Sequence, residues 1–217
     1  MGDRQDHAET IRHFGRLAVH YDHRHRHYNQ VTLSRAVEAL TLPPAGCVLD
    51  VGCGTGELMR LVQSHHPQAT LVGIDVTPEM MAVAREKFQH APRVRLCLAE
   101  AEALPFAAES FDAVVSCNML HHVHAIDQLF REWARVLRPQ GQLVVVDWSR
   151  DFWHCRLAHY WLRLVKRSYV KMYRTAELVA CAAPQGLIVE RVRRFFVPPY
   201  FGMVQLVATK RQGGSHE

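Results

Sequence analysis

The sequence predicts an α/β fold: a doubly wound sheet of about seven strands, mostly parallel with an antiparallel C-terminal strand, and helices on both faces. Three observations predict it. Short apolar runs alternate with helix-period stripes between residues 47 and 147, the signature of strand–helix–strand units that pair in parallel. The 217 residues are 48% hydrophobic and 22% charged, enough for one core and too apolar for a disordered chain. Two final strand-like runs are joined only by Pro198-Pro199-Tyr200, a link so short that the pair must be antiparallel.

Residues 5–20 read as a first helix, and Val31 to Leu40 as a second, with apolar positions 33, 36, 37 and 40 on one stripe. Pro43, Pro44 and Gly46 break the chain. Cys47 to Val51 is a buried strand, 56–66 a helix, and Thr70 to Ile74 a second strand. Thr77 is the N-cap of the next helix, to His90, with Pro78 at its first position. Val94 to Leu98 and Phe111 to Cys117 are strands. Ala125 to Leu137 is a helix closed by Pro139 and Gly141, and Gln142 to Asp147 a fifth strand. Asp151 to Tyr169 interleaves aromatics with arginine. Glu177 to Ala183 is a helix, and Leu187–Val197 and Phe201–Lys210 are the closing strands.

The charge is +5 but uneven: residues 149–217 hold 12 Lys and Arg against 4 Asp and Glu, whereas residues 1–148 hold 14 against 17. The basic last third is either a solvated face or a surface for an anionic substrate or partner. Cys47, Cys53, Cys97, Cys117, Cys155 and Cys181 form no C-x-x-C pair, so neither a zinc knuckle nor a thioredoxin-type site is indicated, and a reduced compartment is expected. MGDRQDHAET has no apolar signal core, Asp6 stands where myristoylation wants Ser or Thr, and no run is long enough to span a membrane. The expectation is a cytoplasmic protein, a monomer or a homodimer.

The most informative stretch is VLDVGCGTGEL, residues 48–58. A buried strand runs into Gly52, Gly54 and Gly56 and then into a helix. Glycines allow a tight turn and let a ligand lie against bare backbone, and the helix start supplies free N–H groups. A second strand ends at Asp75, 19 residues after Gly56, where an acid accepts hydrogen bonds from the ribose hydroxyls of an adenosine. A dinucleotide turn wants a third glycine where Glu57 stands. With Asp50 on the incoming strand, the turn suits a cationic ligand better than a pyrophosphate.

This pattern resembles motif I of class I S-adenosylmethionine-dependent methyltransferases, whose sheet is Rossmann-like. AEALPF (101–106), ESFDAVVSCNMLHHV (109–123) and ARVLRPQGQLVVVDW (134–148) resemble the type 11 group, which includes the ubiquinone/menaquinone methyltransferase relatives. FGRLAVHYD (14–22) resembles their leading helix, and residues 177–189 with VQLVATK resemble their C-terminal end. The resemblance implies one domain over 1–217. Residues 1–42 form a helical lid, 43–148 the cofactor core, 149–176 an aromatic and basic substrate cap, and 177–210 a helix and strand pair.

It also implies site roles, with S-adenosylmethionine as cofactor and S-adenosylhomocysteine as product. Asp50 and the backbone of Gly52, Cys53, Gly54 and Gly56 hold the methionine part, and Asp75 the ribose. Val76 and Met80 pack on the adenine, and Glu100, where relatives often carry Asp, meets its amino group beside Ala101. Cys117 and Asn118 line the methionine pocket through backbone. His121 and His122 stand at a strand's carboxyl edge, where an imidazole can act as general base. His121 is placed first, because relatives carry their reactive group just after that Leu. Tyr21 faces the active site from the leading helix.

His20, His23, His25 and His27 invite a metal reading, but no carboxylate pattern supports it and the relatives need no metal. Pro198-Pro199-Tyr200 is like the Asn/Asp-Pro-Pro-Tyr signature of amino-group methyltransferases, but that signature belongs after the fourth strand, where Asn118-Met-Leu-His121 stands. The leading reading is methyl transfer to O, N, S or C of a small molecule, with an anionic or aromatic acceptor in view. Trp148, Trp153, Tyr160 and Trp161 among Arg156, Arg163, Lys166 and Arg167 are either packing, a substrate pocket or a single-stranded nucleic-acid platform. An RNA methyltransferase and a non-catalytic binding module therefore stay open, with an NAD-dependent oxidoreductase behind them.

Overall fold

The apolar run Cys47–Val51 becomes the central strand β1, four of its five residues buried, as a parallel strand covered on both faces must be. The structure, a computed structural model, describes residues 2–165, 169–199 and 201–212; Lys166, Arg167 and Tyr200 lie outside them. Around β1 come β2 (Thr70–Asp75), β3 (Val94–Leu98), β4 (Phe111–Cys117), β5 (Leu137–Trp148), β6 (Leu187–Val197) and β7 (Phe201–Lys210). The sheet order is β3-β2-β1-β4-β5-β7-β6. β1 to β5 pair in parallel, and β7 runs antiparallel to both β5 and β6. The order reverses between β1 and β4, so the carboxyl ends of those strands frame a crevice.

The helices are α1 (Gly2–Leu17), α2 (Tyr21–Arg24), α3 (Arg26–Ala39), α4 (Glu57–His65), α5 (Pro78–Lys87), α6 (Ile126–Val136), α7 (Trp153–Val165) and α8 (Thr175–Ala182). Strand alternation divides the core. Leu49, Val114 and Val145 point to one face, where α6 brings Leu129, Phe130 and Trp133. Val48, Val115 and Val144 point to the other, against Leu33 and Ala36 of α3 and Met59 of α4.

The structure departs from the sequence reading in four places. The first helix ends at Leu17, and a 3-10 turn, Ala18–His20, and the short α2 follow before α3 begins at Arg26. α3 is a core helix packed on the sheet, and its Asn29 and Leu33 reach the crevice beside α1 and α2. β5 begins at Leu137, directly after α6, because Leu137 pairs with Phe111 across a register shift. Thr77 is the N-cap of α5 but makes no capping hydrogen bond with its side chain.

Trp133 is fully buried, and its Nε1 has no hydrogen-bond partner among the described residues. Its contribution is therefore apolar volume. Trp133→Ala is expected to cost about 3–5 kcal/mol in urea denaturation. Trp133→Phe is expected to cost less than half as much, because the N–H has no bond to lose.

Candidate active site

β1 delivers the chain into the turn at Gly52, Gly54 and Gly56, whose φ values are +76°, +52° and +82°, in the left-handed region glycine takes without penalty. The N–H groups of Gly52 and Cys53 both donate to the Ile74 carbonyl, at 2.9 and 2.8 Å, which ties the turn to the end of β2. A Cβ on Gly56 would meet the Phe88 ring at 2.5 Å. Nothing lies within 4 Å of where a Cβ on Gly54 would stand, so this backbone faces open space.

Asp75 ends β2 and faces the same opening. Its Oδ2 accepts the Gly54 N–H at 2.9 Å and its Oδ1 the Thr77 N–H at 2.8 Å. Burial nevertheless holds its pKa above the ordinary carboxylate value. Each oxygen keeps a lone pair for a further donor. Asp50 is more constrained: only 4% of its surface is exposed, and Oδ2 has no hydrogen-bond partner among the described residues. Burial, with the nearby Asp75 charge second, pushes its pKa up to about 8. A cation placed beside it would reverse that shift.

These groups open on a cleft whose space, with its open mouth counted in, is about 1050 Å³. Its described lining carries Asp50, Glu57, Asp75 and Glu102 but no Lys or Arg. Tyr21, Gly52, Cys53, Gly54, Val76, Met80, Ala101, Cys117, Asn118 and His122 also line it, so most of the residues named from sequence converge here. Gly56, Glu100 and His121 do not. Gly56 lies under Phe88. Glu100 is exposed, and Glu102 two residues on reaches the lining instead.

The two adjacent histidines separate because Leu120–His122 is a 3-10 turn, in which successive side chains point about 120° apart. His122 faces the cleft and meets Phe14 of α1 edge-on, ring centres 5.0 Å apart. His121 turns inward. Its Nδ1 lies 2.7 Å from Asp147 Oδ1, and its ring stacks on Trp148 at 4.1 Å. Asp147 also accepts the N–H groups of Leu120 and Trp148. A carboxylate used as acceptor throughout makes Nδ1 the donor. The expectation that His121 leads as base is therefore corrected: it is a buried brace, and its neighbour holds the cleft position.

Tyr21 lines the cleft with its pKa raised to about 12, by burial first and by Asp75 and Asp22 next. It is a neutral phenol at physiological pH, a donor and not a base. Asn118 sits just after β4 at a φ of +59°, in the left-handed region that Asn enters more readily than most side-chain-bearing residues. Its amide is engaged: Oδ1 accepts the Tyr28 hydroxyl at 2.6 Å and Nδ2 donates to Thr32 Oγ1 at 3.0 Å. Asn118 is among the residues that line the cleft, with its amide held by these two bonds.

Sequence reasoning missed Asp147, Phe14 and a latch at the lid. Asp147 was legible as a lone acid ending an apolar strand, the same signal that marks Asp50. The latch was not. Asp22 accepts the Thr55 hydroxyl at 2.5 Å and Lys87 Nζ at 3.0 Å, and Lys87 also donates to Glu57 at 2.5 Å. Burial opposes the Glu57 charge, but bonds from Lys87 and Arg60 hold its pKa below the usual value. α2 is thereby pinned to the glycine turn and α5.

Among the described residues no three His, Cys, Asp or Glu side chains are grouped to hold a metal. His20, His23 and His27 are exposed, on a chain broken between α1 and α3. The excess of basic charge lies away from the cleft. Arg156 and Arg163 are exposed on α7, Arg191, Arg193 and Arg194 on β6, and Arg150 and Lys171 pair with Glu177.

Known proteins share both the core and its order. Residues 49–145 match the family described as a methyltransferase domain. This segment is similar to the methyltransferase domains of that family. A 2-phytyl-1,4-naphtoquinone methyltransferase of Thermosynechococcus vestitus is 36% identical over 115 residues, 52% of this chain and 51% of that one. A ubiquinone/menaquinone biosynthesis C-methyltransferase of a Geobacter species (strain M21) is 37% identical over 145 residues, 63% of this chain and 61% of its own. The chain spans about half the length of the curated relatives it matches first. Among solved structures, the methyltransferase bound to the Trm112 activator of Haloferax volcanii superposes with a TM-score of 0.78 at 19% identity, covering 92% of this chain and 98% of that one. That likeness is one of fold.

His121→Ala is expected to lower stability by about 1–3 kcal/mol in urea denaturation, because a buried carboxylate loses one of its three donors. His122→Ala is expected to change it by less than about 0.5 kcal/mol, as at other positions on an open wall.

Proposed function

We propose that the methyltransferase domain binds S-adenosylmethionine in the carboxylate-lined cleft and transfers its methyl group to a small, apolar, ring-bearing acceptor. The observation that carries this reading is Asp50: a buried carboxylate whose Oδ2 has no hydrogen-bond partner among the described residues, on the wall of a cleft whose described lining has no Lys or Arg. Such a group asks for a cation, and the methionine end of this cofactor carries two, an α-amino group and a sulfonium. The naphthoquinone and ubiquinone/menaquinone methyltransferases among the relatives support an acceptor of quinone type.

Asp50 and the open backbone at Gly54 would hold the methionine end. Asp75 would take the ribose hydroxyls on its remaining lone pairs, and Val76, Met80 and Ala101 the adenine. When bound, the cofactor supplies a methyl carbon already activated by the positive sulfur. The protein's work is then to align the acceptor and exclude water. Phe14 and Tyr21 cover the cleft from α1 and α2, and the Tyr21 phenol orients by donating a hydrogen bond. His122 receives the acceptor's proton, and His121, braced by Asp147, fixes the turn that carries it. The reading in which RNA is the acceptor is not favoured, because the arginines it needs lie outside the cleft.

The proton linkage is a direct test. An acid with a raised pKa holds its proton in the empty fold, so the empty protein loses stability as pH rises from the ordinary carboxylate range to about 8. A cationic ligand drives that proton off. S-adenosylhomocysteine binding at neutral pH is expected to release close to one proton, read by titration calorimetry in buffers of different ionisation enthalpy. Affinity should climb by up to about tenfold per pH unit toward that value, and Asp50→Asn should abolish the slope. Binding without proton release would contradict the role given to Asp50.

Turnover is tested by transfer of labelled methyl into an extract split into small-molecule, nucleic-acid and protein fractions. Label is expected in the apolar small-molecule fraction and to fall by about 10²–10⁴-fold in His122→Ala, with S-adenosylhomocysteine affinity kept. Label in nucleic acid would overturn the choice of acceptor.

A further inference from the structure

One face of α7 is unexplained by packing or by the cleft. Its buried side, Cys155, His159 and Leu162, closes a small cluster with Tyr169 and Met172 over Trp148. The opposite side carries Trp153, Leu157, Tyr160, Trp161 and Leu164, exposed to 73%, 65%, 66%, 61% and 85%. At about 100° per residue these five positions fall within a stripe roughly 100° wide. An exposed apolar stripe of this kind on a soluble surface marks a contact.

The charge beside the stripe says what the contact is with. Arg156 and Arg163, both exposed, flank it on the same edge, and the helix Trp153–Val165 has no Asp or Glu. The neighbouring acids are already engaged: Asp151 accepts the Thr175 hydroxyl, and Glu177 pairs with Arg150 and Lys171. The exposed Phe196 of β6 meets the His154 ring at 5.5 Å, and Arg194 shares its strand face by alternation. Lys166 and Arg167 follow α7 in sequence.

We infer that α7 lies flat on an anionic lipid surface, its Trp, Tyr and Leu side chains in the headgroup and acyl boundary and its arginines on the lipid phosphates. Aromatic and leucine side chains opposite a basic flank are the composition of an interfacial helix, and thirteen residues are too few to span a bilayer. A second copy of the chain fits less well, since it would press like arginine-rich faces together. RNA would use the exposed Trp153, Tyr160 and Trp161 for stacking but leaves Leu157 and Leu164 unaccounted for, whereas a lipid surface takes all five. The docking is independent of the methyl-transfer reading.

The test is flotation of the full chain with vesicles of phosphatidylcholine alone and of phosphatidylcholine and phosphatidylglycerol in about equal parts. Each arginine near an anionic surface raises partitioning about fivefold, so the mixed vesicles should be preferred by about 25-fold or more at low salt. Arg156→Glu with Arg163→Glu should erase the preference. Leu157→Glu with Leu164→Glu should cut binding to the mixed vesicles by more than about tenfold, with an unchanged melting curve, since both leucines are exposed. Failure of the wild-type chain to float with either vesicle overturns the inference, as does equal binding to both. A wild-type dimer that the leucine variant splits, or retention of single-stranded RNA in place of vesicles, also overturns it.

Discussion

A carboxylate held in a protein interior without a partner is unfavourable enough that a fold rarely tolerates one by accident. Asp50 comes close to that position: β1 is a buried strand, and among the described residues the Asp50 Oδ2 has no hydrogen-bond partner. The protein answers the cost by keeping the group protonated, which is what a pKa near 8 means at neutral pH. A site prepared in this way is neutral when empty and becomes anionic when a cation arrives. Other features of the cleft, the bare backbone at Gly54, the second acid at Asp75 and the aromatic cover from α1, have a ligand to serve only if Asp50 is the group that selects it.

The rest of the architecture holds that arrangement in place. The turn is fastened to β2 by two N–H donors into one carbonyl, and to α2 by the Thr55, Asp22 and Lys87 bonds. On the opposite wall, Asp147 does for His121 what a second strand does for the glycine turn: it fixes a short, irregular segment so that the following residue, His122, has one direction to face. Charge is segregated as well. Acids surround the cleft, and arginines stand on α7 and β6, on surfaces that meet solvent or whatever docks there. The uneven charge visible along the chain is thus a division between an acid-lined cleft and an arginine-bearing outer face.

How much of this was legible in the sequence follows from how local each feature is. Strand order, the glycine turn, Asp50 and Asp75 were readable because buried runs, positive-φ glycines and strand-end acids are dictated by the chain within a few residues. The choice between His121 and His122 was not, since it depends on a 3-10 turn whose geometry is set by Asp147, 26 residues away. Glu100 and Glu102 differ only in which way a loop turns its side chains. The start of β5 was misplaced because pairing with Phe111 overrode the turn signal of Pro139 and Gly141. For α7, sequence showed aromatics and arginines together, but only the packed structure shows which side is covered.

The most direct measurement is the titration of Asp50 itself, by NMR of the γ-carboxyl carbon in protein labelled at aspartate, without and with S-adenosylhomocysteine. The account predicts a midpoint near 8 in the empty protein and a fall to the ordinary carboxylate range or below once the ligand's amino group is beside it. An ordinary midpoint in the empty protein, or one that the ligand leaves unmoved, would contradict it.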